Sequence, residues 1–187
     1  MFRNYYEDVE KYKQYYILIT LQENIISKAI DFATKKTEKK LNEFHHKIDG
    51  ESEYKRALTG IKGELAVEQL LEKEFIDWSI GESQNYDKAD LFPLGLNIGI
   101  KSVERGKFPI IHKKIKRPEI ITIIYDWNNV LICGFASIPV LRKYQDDNLI
   151  IDPNLRKKGT KTGFYGFDFL QDFKSIKDLI NCTWYRK

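Results

Sequence analysis

Two apolar runs rich in β-branched residues, Ile120 to Asp126 and Val130 to Ala136, stand either side of Asn128-Asn129. That pattern predicts two neighbouring strands joined by a tight turn, and it commits this part of the chain to a sheet. Further strands are expected at Trp78-Ser79-Ile80, Ala89 to Pro93 and Leu96 to Val103. Leu94-Gly95 separates the last two and predicts a hairpin that brings Asp90 and Lys101 to one end of a site. On the second of these strands, alternation places Gly99, Lys101 and Val103 on one face and Ile98, Ile100 and Ser102 on the other.

The chain before these strands reads as helix. Residues 5 to 48 predict two helices meeting near Ile19 to Gln22, with Ile25, Ile26, Ala29, Ile30 and Ala33 at helical spacing. Tyr5, Tyr6, Tyr12, Tyr15 and Tyr16 are expected to pack rather than to stack on bases. A third helix is predicted from Glu51 to Phe75, and a short one from Phe169 to Ile180. At about 100° per residue, Glu64 and Glu68 fall inside the apolar sector formed by Ala57, Leu58, Ile61, Leu65, Leu71 and Phe75. A carboxylate facing a core is costly unless paired or metal-bound; the alternative, preferred for Glu68, is an acid at the edge of the stripe that reaches water or Arg56. Gly60 and Gly63 weaken the same helix, which suggests either close approach by another backbone or a ligand, or a helix that starts later.

At 187 residues the chain supports one core, and the expected organisation is a single α/β domain. It divides into a helical extension over 1–50, a catalytic core over 51–140, and a basic loop with a helix over 141–187. No apolar run approaches the roughly 20 residues of a membrane span, and the start does not read as a signal peptide. An intracellular, non-secreted protein is expected. Cys133 and Cys182 form neither a disulfide framework nor a metal motif.

The net charge of +4 is unevenly placed. Lys101, Arg105, Lys107, Lys113, Lys114, Lys116 and Arg117 face Glu104 alone between residues 101 and 117, and Arg156, Lys157, Lys158 and Lys161 add a second basic stretch. Such stretches attract a polyanion through phosphate neutralisation and counterion release. The second stretch runs on into Phe164, Tyr165 and Phe167, which predicts either a base-stacking loop or a surface loop anchored by its aromatics.

An acid on a helix, Glu64, an acid opening a strand, Asp90, and a lysine on the next strand, Lys101, are the parts needed to hold a divalent metal beside a scissile phosphate. Carboxylate oxygens suit magnesium, and an ammonium can orient or help deprotonate water. His112 is expected to meet phosphate or solvent, and adjacent His45 and His46 diverge on a helix.

The Glu64, Asp90 and Lys101 arrangement over roughly residues 56–136 resembles the PD-(D/E)xK nuclease superfamily. That resemblance implies a restriction-endonuclease-like mixed β-sheet flanked by helices and a magnesium-dependent DNA endonuclease, with manganese as a substitute metal. It also implies metal ligation by Asp90, Glu64 and the main-chain carbonyl of Ile100, with Lys101 as the catalytic lysine. Gly99 stands where the family carries a second strand acid. Some members supply that acid from the neighbouring helix, so Glu64 is expected in its place, with Glu68 in reserve, Glu104 third and Asp87 an alternative to Asp90. Duplex DNA is the expected partner, and a homodimer is the simplest way to cut both strands. A DNA-binding protein on the same fold without catalysis is the alternative that Gly99 raises, and a structural or partner-binding protein whose basic segments are solvated faces is the third.

Overall fold

The computed structural model describes residues 3–41, 53–80 and 88–184; His45, His46 and Asp87 lie outside the described residues. The N-terminal segment opens with a one-turn helix α1 (Tyr5–Asp8). The Asn4 side chain caps it, accepting from the Tyr6 amide at 3.0 Å. A tight helical turn over Glu10–Tyr15 leads into strand β1 (Ile17–Thr20), and helix α2 (Glu23–Leu41) follows. The two-helix expectation for residues 5–48 is therefore corrected in its first half. Ile17-Leu18-Ile19-Thr20 alternates half-buried and exposed and pairs antiparallel along a later strand. Sheet pairing outweighs the weak helical pattern of so short a run.

Helix α3 (Glu53–Leu71) lies within the predicted 51–75 span. The main sheet contains β2 (Gly99–Glu104), β4 (Glu119–Ile124) and β5 (Asn129–Ala136) besides β1, in the order β1-β5-β4-β2. β2 and β4 are parallel, while β5 runs antiparallel to both β4 and β1. The sheet is therefore mixed, and helices pack against it. The Asn128-Asn129 turn forms as its residues predict, with Asp126 Oδ1 accepting from both amides at 3.1 and 2.9 Å.

A smaller antiparallel sheet has the order β3-β7-β6, built from β3 (Ile110–His112), β6 (Gln145–Asp146) and β7 (Lys161–Phe164). Helices α4 (Ile138–Lys143) and α5 (Pro153–Lys158) lie between its strands in sequence, and α6 (Ile176–Trp184) ends the described chain. The basic stretch at 156–161 is thus helix end and strand rather than a long loop. Its aromatics anchor it, because Phe164 and Phe167 are buried. The last helix begins at Ile176 rather than Phe169; Phe167–Phe169 makes one separate tight turn.

Both faces of the main sheet are covered. Ile98, Ile100, Ile120 and Ile132 pack with Ile26, Phe32, Ile61 and Leu65 on one face, whereas Ile121, Ile123, Leu131 and Cys133 pack with Val9, Ile111 and Phe164 on the other. That double burial accounts for the near-continuous apolar runs of β4 and β5. Tyr5, Tyr12 and Tyr16 join the second core as expected, but Tyr6 and Tyr15 are each 65% exposed. No helix among the described residues is long and apolar enough to cross a membrane.

Candidate active site

Helix α3 lies against β2 and β4 because Gly63 has no side chain. A Cβ there would land on Ser102 Oγ and stand 2.6 Å from Thr122 Oγ1. Of the two glycines expected to permit close approach, Gly63 does so and Gly60 faces open space. The next residue, Glu64, is thereby carried near Asp90. Burial pushes its carboxyl up to about 8, and the neighbouring Asp90 charge adds to that, while Lys36 and Lys101 oppose it.

Asp90 reaches the site from a turn and not from a strand. The predicted strand at Ala89–Pro93 is replaced by a tight turn over Phe92–Leu94, closed by Gly95 at φ 76°. The predicted strand at Trp78–Ile80 is likewise absent. Asp90 Oδ2 accepts from the Ile100 amide at 2.6 Å, and the Leu91 amide donates to the Ile98 carbonyl at 3.1 Å. The Asp90 turn is thus stapled to the outer edge of β2 without a hairpin ladder. In extended backbone one residue's N–H and C=O project to the same edge. The Ile100 carbonyl therefore faces the Asp90 side, away from β4.

Lys101 projects from β2 on the opposite face from Ile100, as alternation predicts. Its parallel neighbour β4 opens with Glu119, which is in register with Gly99. A Cβ built on Gly99 would fall on Glu119 Oε2, with Cδ 2.8 Å and Oε1 3.1 Å away. The space of the missing strand acid is therefore taken by Glu119, not by Glu64. Glu119 Oε2 is buried with no hydrogen-bond partner. Burial raises this carboxyl to about 7; Lys101 pulls it down and Asp90 pushes it up. Asp90 is thus the common neighbour of two acids, Glu64 toward α3 and Glu119 beside Lys101.

Glu119 is the residue that sequence reasoning missed. Its signal was faint: a lone acid at the head of an otherwise apolar strand, with nothing to reveal that β4 lies parallel beside β2. The other reserves are otherwise engaged. Glu68 Oε1 accepts from the Phe75 and Ile76 amides at 2.6 and 2.7 Å, and Glu104 pairs with Lys55 and Lys107, both at 2.8 Å. Among the described residues no three His, Cys, Asp or Glu side chains form a ready-made metal cage.

The basic stretches divide in two. Arg105 pairs with Glu10 at 2.6 Å, Lys107 with Glu104, and Lys113 with Asp147 at 2.5 Å. Arg156 donates to the Ile150 and Asn148 carbonyls. These four spend donors within the protein. Burial together with the Lys101, Lys161, Lys116 and Arg117 charges holds His112 below its ordinary pKa. The β3–β7 register sets His112 opposite Lys161. Residues some forty to sixty positions apart in sequence thereby form one basic strip that runs to Lys101. Lys114, Lys157 and Lys158 are exposed.

Comparison of the chain with protein-family models, with curated proteins and with solved structures finds no match.

Proposed function

We propose that this protein is a magnesium-dependent endonuclease acting on DNA, with Asp90, Glu64 and Lys101 at its centre. What supports the reading is that these three residues, drawn from a helix, a turn and a strand, lie near enough for the Asp90 and Lys101 charges both to act on the Glu64 carboxyl. The donors suit a hard cation: carboxylate oxygens, a strand carbonyl and a buried carboxylate oxygen without a partner. Magnesium asks for one or two carboxylates and retains water, so a three-acid cage is not required. The bound ion would supply positive charge at the phosphate and a more acidic water.

The chain's own groups have separate tasks. The Ile100 amide fixes Asp90 in one orientation. Lys101 offsets charge on the phosphate and orients the attacking water. Lys116, Arg117 and Lys161 draw the backbone of the nucleic acid toward Lys101. The test is incubation of the protein with supercoiled plasmid and magnesium, beside Asp90→Asn and Lys101→Ala. Nicking or linearisation that both substitutions abolish is expected, and cleavage indifferent to both would sink the assignment. Gly99, standing in place of a strand acid, favours one second reading, a DNA-binding protein on this fold without catalysis. Salt-sensitive binding with no cleavage is its signature.

A further inference from the structure

We infer that Glu119 is the second strand carboxylate of the metal site, reaching across from β4 into the space left open at Gly99. The inference deepens the nuclease reading and rests on it. Neighbouring strands lie about 4.8 Å apart, which a glutamate side chain can span. Gly99 and Glu119 are register partners in a parallel pair, so a side chain on either projects from the same face of the sheet. The two positions compete for one space, because a Cβ at Gly99 would require the Glu119 carboxylate to move aside. Two oddities of the sequence thereby explain each other: a strand that lacks its acid, and an apolar strand that begins with one.

The Glu119 carboxylate also has an unmet need. Its Oε2 is buried without a hydrogen-bond partner, and an unpaired carboxylate in that position is unfavourable unless a proton or a cation joins it. Lys101 lies among its nearest charges, and Asp90 is the nearby acid. A divalent ion held between Asp90 and Glu119 would satisfy the orphaned oxygen. It would also sit beside Lys101, where the phosphate is expected.

The test relocates the carboxylate. Manganese binding is measured by calorimetry on the full chain for wild type, Glu119→Gln, Glu119→Ala, Gly99→Asp and the double variant Gly99→Asp/Glu119→Ala. Circular dichroism checks the fold of each. Affinity is expected to fall by at least about tenfold for Glu119→Gln and Glu119→Ala. Gly99→Asp alone is expected to lose affinity or stability through the clash, and the double variant to regain most of the loss. The inference is overturned if Glu119→Gln binds manganese as wild type does, or if the folded double variant binds no better than Glu119→Ala. Plasmid cleavage separates the two levels. Wild-type cleavage that Glu119→Gln leaves intact removes Glu119 and keeps the nuclease, whereas a wild type that neither binds manganese nor cleaves removes both.

Discussion

Gly63 of α3 and Ser102 of β2 are in such close apposition that no side chain fits between them, and Ser102 Oγ accepts from Thr122 Oγ1 at 2.9 Å directly beneath the helix. This contact sets the height of α3 over the sheet and hence the position of Glu64. Gly63→Ala is expected to destabilise the protein by about 1–3 kcal/mol through overpacking. Gly60→Ala, one turn earlier and facing open space, should stabilise it by up to about 1 kcal/mol. Urea unfolding of the two variants checks the contrast, and equal effects would count against the packing account.

Glu68 serves the backbone. Its Oε1 takes the Phe75 and Ile76 amides where the chain leaves α3. Glu68→Ala strands two donors and should cost about 1–3 kcal/mol, while Glu68→Gln keeps the accepting oxygen and most of the stability. Manganese affinity should be retained in Glu68→Gln. A tenfold loss of affinity there would restore Glu68 as a ligand.

Stability should fall as pH rises. Glu64 and Glu119 are raised to about 8 and about 7 from an ordinary 4.5, chiefly by burial. Between those values and 4.5 the folded protein holds protons that the unfolded chain has released. Stability from these two groups is therefore greatest below 4.5 and is lost as pH climbs from there to about 7 for Glu119 and about 8 for Glu64. Glu64→Gln and Glu119→Gln remove the ionisation, so each variant should gain on wild type as pH increases. Urea midpoints taken across that range decide it; a gap between variant and wild type that is constant with pH would show that neither group titrates as described.

The basic strip predicts a graded salt response. Lys116→Ala and Lys161→Ala should each weaken DNA binding and reduce the slope of log affinity against log salt by about 1. Arg105→Ala removes a cation engaged with Glu10 and should change that slope little. Fluorescence anisotropy at several salt concentrations checks this, and unchanged slopes for Lys116→Ala and Lys161→Ala would count against the strip as the surface that meets nucleic acid.

Much of the scaffold was legible in the chain. The β4–β5 pair followed from two β-branched runs around two asparagines, and α3 from its apolar stripe, because both signals are local and strong. The Ile17–Thr20 run carried too few residues to declare itself, and only pairing with β5 makes it a strand. The Asp90 segment turns where a strand is expected because Pro93 and Gly95 act through turn geometry, while its link to Ile100 is a side-chain bond that periodicity does not register.

The sequence by itself determined which side chains were available: the Glu64 stripe acid, Asp90, Lys101, the gap at Gly99 and two basic stretches. Tertiary structure decided which of them meet. Parallel pairing of β2 with β4 brought Glu119 to the gap at Gly99, and β3–β7 pairing brought Lys161 of the second basic stretch beside His112 of the first. Neither follows from local pattern, because a strand's register and partner are fixed by burial of both sheet faces across the whole fold, and a side chain's chemistry depends on the neighbour that this register supplies.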